Sequence, residues 1–168
     1  MRLLDIKIYN EEEMERLGEK VAGALGSGDL VYLIGELGAG KTTLVRGIAR
    51  GLSYQGRVNS PTFTLMNIYP AQPVIYHFDF YRLEGRELLD LGLEDYLEQE
   101  GIALIEWPQA GFSLLDQPKG TDVLPQDAIY IKIELTDDDY DREREVSIST
   151  KGDRYQYVLE ELRKTCAF

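Results

Sequence analysis

Leu33-Ile34-Gly35-Glu36-Leu37-Gly38-Ala39-Gly40-Lys41-Thr42-Thr43 is the stretch on which the reading of this chain turns. Its spacing, Gly35-x-x-x-x-Gly40-Lys41-Thr42, satisfies the phosphate-binding loop pattern in full. Glycine lacks the Cβ that would keep backbone amides from turning inward around the α- and β-phosphates. Lys41 reaches the β- and γ-phosphates in such a loop, and the Thr42 hydroxyl ligates magnesium. The helix that follows adds the positive end of its dipole. A chance glycine-rich turn is the bland alternative. This one, however, falls between an apolar run and a helical repeat, which is the context the motif requires. Gly35 to Thr43, with Glu36, Leu37, Gly38 and Ala39 between, is therefore the expected ATP-binding segment.

Outward from the loop, Asp29 to Ile34, "DLVYLI", is a short apolar run of the kind buried on both faces of a parallel sheet. Downstream, Leu44, Val45, Ile48 and Leu52 recur at helical spacing. Upstream, residues 3 to 8 read as a short strand. Asn10 with Glu13 resembles a capping box, Met14, Leu17, Val21 and Leu25 follow at helical spacing, and Gly26 and Gly28 end that helix. Two more apolar runs each close in an acid: "VIYHF" at 74 to 78 before Asp79, and "IALI" at 102 to 105 before Glu106. Glu84 to Leu97 reads as a helix with Leu88, Leu91 and Tyr96 inward. After Pro108 the chain is loop-like to about Pro125.

Ile129, Ile131, Ile133 and Leu135 alternate with polar residues, as in a half-exposed antiparallel strand. The charged turn "TDDDYDRERE" leads from it into "VSIST", and Asp153 to Lys164 predicts an amphipathic helix. The expected fold is α/β: a P-loop NTPase-like, mostly parallel sheet with helices on both faces, an appended antiparallel β-hairpin and a C-terminal helix, all in a single domain over 1–168.

Composition narrows the partners. At 168 residues one core is expected. With 30 acidic against 18 basic residues the formal net charge is −12, and phosphate backbones repel such a chain. Unaided gripping of nucleic acid or of an anionic membrane is not expected. Cys166 is the single cysteine, so no internal disulfide forms. The start, "MRLLDIKIYNEEE", has no apolar run long enough for a signal peptide or membrane span, and the cytoplasm is the expected compartment.

A P-loop needs a further acid to hold magnesium or its waters, and a group to position the attacking nucleophile. Ligands of open α/β sheets sit outside the carboxyl ends of the strands. If the runs ending in Asp79 and Glu106 are neighbours, both carboxylates face Lys41 and Thr42. An acid after a strand also caps helices or simply faces water. His77, two residues before Asp79 on the same strand face, reads as a satisfied structural histidine. Trp107 is core or a lid over the site, with core the safer reading. Ser60-Pro61-Thr62-Phe63-Thr64 is a polar turn ahead of a strand. Its hydroxyls suit a γ-phosphate switch, but turn and strand propensities explain them as well.

Together "GELGAGKTT", "SPTFTL", "HFDFYRL" and "LIEWP", in this order and spacing, resemble the TsaE (YjeE) family of small bacterial P-loop ATPases. The resemblance runs from about residue 10 to 110, with an echo at "REREVSI". It implies a role in making threonylcarbamoyladenosine in tRNA, beside the TsaB–TsaD pair that transfers the threonylcarbamoyl group. It implies weak hydrolysis of ATP alone, with Mg2+ as cofactor, and contact with tRNA only through that pair. By resemblance Lys41 binds phosphates, Thr42 and Glu106 ligate magnesium, and Asp79 is the Walker-B-like carboxylate. Ser60, Thr62 and Thr64 then belong to a switch segment. Arg82 matches the arginine of the family's DxYR motif without an assigned role, the echo assigns none to Arg142, and the loop from about 110 to 122 is longer than is usual there. The group that positions water is left among Glu106, Asp79 and a switch threonine. The stretch from Tyr9 to Glu12, ahead of the P-loop, is a positional guess for adenine.

Three rival readings stand beside this one. A small-molecule kinase is suggested by Asp79-Phe80-Tyr81-Arg82, against which stands the lack of an arginine-rich lid segment. A GTP switch is suggested by Thr150-Lys151-Gly152-Asp153, against which stands the lack of an Asp-x-x-Gly after the P-loop. A nucleotide-gated adaptor, in which hydrolysis is incidental, differs from the main reading only by degree.

Overall fold

Leu30–Ile34, "LVYLI", is buried at every position, and the rest of the fold is arranged around it. The computed structural model describes residues 4–36, 38–61, 65–79, 95–96, 100–107, 127–136 and 143–166. In chain order these form β1 (Leu4–Ile8), α1 (Glu11–Ala22), β2 (Leu30–Ile34), α2 (Lys41–Gly51), β3 (Met66–Tyr69), β4 (Val74–Asp79), β5 (Gly101–Trp107), β6 (Ala128–Leu135), β7 (Arg144–Lys151) and, after a 3-10 turn at Asp153–Tyr155, α3 (Gln156–Thr165).

One seven-stranded sheet runs β1-β7-β6-β2-β5-β4-β3. β2 is parallel to β5 on one side and to β6 on the other, and β4 is parallel to β5. β3, β7 and β1 complete the sheet by antiparallel pairing. The hairpin predicted over β6 and β7 is present and extends this same sheet. Sequence alternation suggested a half-exposed β6, yet Ala128 and Tyr130 are buried along with Ile129, Ile131 and Ile133. The reason is its position: β6 lies against the central strand, where both faces are covered.

Alternate strand residues point to two cores. Val31, Leu33, Ile75, Leu104 and Ile131 share one with the buried faces of α1, α2 and α3. Leu30, Tyr32, Tyr76, Phe78 and Ile105 form the other. Of the helix expected over Glu84 to Leu97 only Asp95 and Tyr96 are described; both are helical, and the Tyr96 ring packs on this second face, 5.2 Å from Tyr76. Met14, Leu17 and Val21 are buried as the spacing predicts, but α1 ends at Ala22, before the expected glycines, and Leu25 only packs against the core edge. No helix among the described residues is long and apolar enough to cross a membrane.

α1 and α2 meet backbone to backbone. A Cβ on Gly18 would fall on the Leu44 carbonyl, and one on Gly47 on the Glu15 carbonyl. Glu15 then clamps the pair from outside, accepting from Arg46 at 3.1 Å and Arg50 at 2.6 Å. This contact fixes α2, and with it the end of the P-loop. Gly47→Ala is expected to lower unfolding stability by about 3 kcal/mol through overpacking, read as a lower urea midpoint at unchanged slope.

Candidate functional site

The two helices that face each other differ at their N-termini. The first turn of α1 is filled: Asn10 Oδ1 accepts from the Glu13 N–H at 2.8 Å, Glu13 Oε2 accepts from the Tyr9 N–H at 2.8 Å, and Glu11 and Glu12 add negative charge. α2 has a glycine at its N-cap, no capping side chain and no acid in its first turn. Its first N–H groups and its dipole are thus directed at whatever occupies the loop, the arrangement that binds phosphate. Gly38 and Gly40 hold φ of 83° and 111°, left-handed values that a side chain would strain. Lys41, buried, turns back over the loop and donates to the Gly35 carbonyl. Burial holds its amine below the usual lysine range, while Glu106 and then Asp79 oppose that shift.

The two acids lie where the sequence argument needed them. Leu33, Glu106 and Asp79 are lateral partners across β2, β5 and β4, so the carboxylates share a face and a sheet edge. Leu33 belongs to the core under α1 and α2, which places both acids beneath the start of α2. The Thr42 hydroxyl donates to Glu106 Oε1 at 3.5 Å. Glu106 is buried and Asp79 half-buried. Hydroxyl and carboxylate oxygens are the hard donors that suit Mg2+, which takes one or two carboxylates and completes its shell with phosphate and water. The residues present fit that ion.

His77 is fully buried, as a structural histidine would be, and its partner is the candidate ligand itself: Nε2 lies 3.1 Å from Glu106 Oε2. Three features had no signal in the sequence. Arg144, on β7, donates from Nε to the Ala39 carbonyl at 3.1 Å and so braces the P-loop from another strand. Leu65 holds a φ of 71°, an outlier for a bulky residue. Its N–H donates to the Pro61 carbonyl at 2.8 Å, and its carbonyl accepts from the Asp79 N–H at 3.0 Å. Arg46, Arg50 and Arg57 line a cleft with Tyr54 and Asn59.

Ser60 is exposed at the start of the candidate switch. Leu37, Thr62, Thr64, Arg82, Arg142 and the loop from 110 to 122 lie outside the described residues; Trp107 ends β5, and its side chain is likewise outside them. The adenine guess at Tyr9 falls on the P-loop edge, because Ile8 pairs with Arg144, and the Tyr9 side chain is exposed. Thr150 to Asp153 lies at the opposite edge: Lys151 pairs with Ala128, at the start of β6, and Arg154 reaches Asp29, ahead of β2. A guanine-reading tetrad has to reach the nucleotide, so the GTP-switch reading loses its one support.

Residues 8–146 match the family model described as threonylcarbamoyl adenosine biosynthesis protein TsaE. The chain is similar to "tRNA threonylcarbamoyladenosine biosynthesis protein TsaE" of Bacillus subtilis, 38% identical over 165 residues, covering 98% of this chain and 96% of that one. The protein of the same name from Haemophilus influenzae is 42% identical over 145 residues, 82% of this chain and 86% of that one. A crystal structure of Bacillus subtilis YdiB superposes with a TM-score of 0.79 at 32% identity, covering 98% of this chain and 97% of that one.

Arg144→Ala removes one brace of the loop without touching its glycines. A hydrogen bond of this kind contributes about 1 kcal/mol, so if the loop binds nucleotide as its pattern implies, the affinity for ADP is expected to fall about fivefold, checked by titration calorimetry, at little change in melting temperature.

Proposed function

The chain belongs to the TsaE family, and on that premise we propose that it is a single-domain ATPase that drives turnover of the TsaB–TsaD complex making threonylcarbamoyladenosine in tRNA. The observation that supports this most is the lateral pairing of Asp79 with Glu106 beneath the open N-terminus of α2. Backbone amides of Gly35 to Thr43 would cradle the phosphates of ATP, and Lys41 would follow charge as it builds on the leaving phosphate. Thr42 and Glu106 would hold Mg2+. That ion, when bound, neutralises phosphate oxygens and orients them for in-line attack. Asp79, Glu106 or a hydroxyl of Thr62 or Thr64 would position the water.

The names of the relatives support the tRNA modification, and the net charge of −12 suits a chain that meets tRNA only through its protein partners. We place it in the cytoplasm with no membrane partner.

The test is ATP hydrolysis by this protein alone and then with the TsaB–TsaD pair and tRNA. Stimulation by the pair is expected, and Lys41→Ala should weaken nucleotide binding and abolish the stimulation. Asp79→Ala and Glu106→Ala should lower turnover at least about tenfold, as loss of a transition-state contact does, while binding falls less. Hydrolysis left intact in both acid variants would remove them from the site. Hydrolysis indifferent to the pair would leave an ATPase with another partner, and tRNA modification sustained by the two acid variants would make hydrolysis incidental to an adaptor.

A further inference from the structure

Glu106 offers its two oxygens to two different neighbours. Oε1 faces the Thr42 hydroxyl at 3.5 Å, and Oε2 lies 3.1 Å from His77 Nε2. A carboxylate oxygen at that distance accepts, so Nε2 carries hydrogen. The other ring nitrogen, Nδ1, is 2.9 Å from the Tyr69 hydroxyl. That hydroxyl is also 3.0 Å from the Asn59 carbonyl, and the same carbonyl accepts from Asn67 Nδ2 at 3.0 Å. The Tyr69 hydroxyl donates to that carbonyl while its oxygen also lies against Nδ1, so Tyr69 links the ring to Asn59. Burial pushes the Tyr69 phenol up, which keeps it a donor. Among the described residues no buried side-chain nitrogen or oxygen lacks a partner.

A histidine of purely structural use would be satisfied by any acceptor. This one takes the second oxygen of the residue expected to ligate the cation. The distinction matters for the ion, because Mg2+ demands near-octahedral geometry, whereas Ca2+ accepts bidentate carboxylates and looser shells. A Glu106 carboxylate free to turn could offer both oxygens. One held at Oε2 offers Oε1 alone.

We propose, resting on the Mg2+–nucleotide reading above, that His77 is a positioning residue: it holds Oε2 of Glu106, leaves Oε1 as a single-oxygen ligand beside Thr42, and is itself fixed by Tyr69. Outer partners of this kind change metal affinity about 10- to 100-fold when removed. The chain of contacts ends at Asn59, which lines the arginine cleft next to Ser60. The cation ligand is thus joined through two side chains to the surface segment that leads into the candidate switch.

The test measures the free Mg2+ and the free Ca2+ that half-saturate binding of a fluorescent N-methylanthraniloyl ADP, with affinity in EDTA as the control. Wild type is compared with His77→Leu, His77→Gln and Tyr69→Phe. His77→Leu is expected to raise the Mg2+ requirement at least about tenfold, to leave the EDTA affinity unchanged, and to narrow the preference for Mg2+ over Ca2+. His77→Gln, which keeps a donor near the Nε2 position, should recover most of the loss. Tyr69→Phe keeps the packing and should raise the requirement about threefold, a smaller effect than removing the donor itself.

An unchanged Mg2+ requirement in folded His77→Leu overturns the proposal. If that variant does not fold, an unchanged requirement in Tyr69→Phe overturns it instead. Variants that lose affinity equally in EDTA and in Mg2+ overturn it too, since a general structural role predicts that. A wild-type protein with no Mg2+-dependent nucleotide binding would bring down the ATPase reading and this inference together, whereas normal wild-type dependence with unaffected variants removes the inference alone.

Discussion

The parallel pairing of β2 on both of its sides governs the rest of this structure. Because β6, β2, β5 and β4 run the same way, their carboxyl ends form one edge, and the P-loop, Glu106 and Asp79 all emerge there. The side-chain period of a strand is two, so register decides which face each residue takes. With Leu33 beside Glu106 and Asp79, the acids lie under α2. A slip of one residue would send both to the opposite face, among Tyr32, Tyr76 and Phe78, and would turn Leu104 away from the core it shares with α1 and α2. The apolar runs that build the sheet are therefore what aim the chemistry. Gly18 and Gly47 let α1 pack closely on α2, and Thr42 at the start of α2 meets Glu106.

The edge carries a deliberate imbalance of charge. Isolating a carboxylate or an ammonium from water costs several kcal/mol for each ion, and here a buried glutamate and a buried lysine share one small volume. Each reduces the cost of the other, as the opposing pull of Glu106 on Lys41 indicates. His77 removes one of the glutamate's oxygens from the account, and the open N-terminus of α2 contributes partial positive charge. Two acids so near would still repel an incoming triphosphate. On the reading proposed above, a divalent cation held by Glu106 and Thr42 would offset that repulsion. The distant acidic residues behind the net charge of −12 matter less, since exposed charges are screened beyond about 8 Å at physiological salt.

Much of this was legible in the sequence, for identifiable reasons. The P-loop is a local pattern whose glycines report backbone geometry directly, and Gly38 and Gly40 do hold positive φ. The strands ending in Asp79 and Glu106 declared themselves by apolar runs, and only their adjacency had to be assumed. What stayed hidden was non-local. Nothing in "REREVSI" says that Arg144 reaches the Ala39 carbonyl, because that contact spans 105 positions. His77 was read correctly as buried and satisfied, but its partner could not be named without the register of β4 against β5. The burial of β6 was underestimated for the same reason: alternation describes one strand, and its neighbours decide how much of it is covered.

The candidate switch is tied at both flanks to β4, the strand that ends in Asp79. Before it, the Asn59 carbonyl meets Tyr69, which meets His77 on β4. After it, the Leu65 carbonyl accepts from Asp79 itself. Leu65 holds a left-handed φ that costs about 1–3 kcal/mol. The Asp79 and Pro61 hydrogen bonds that enforce it return about 1 kcal/mol each. Strain and restraint are thus of the same size, so a small differential interaction is enough to change which one wins. A ligand that pulled Asp79 toward a cation would weaken the restraint and release Leu65; one that fixed Asp79 would keep it.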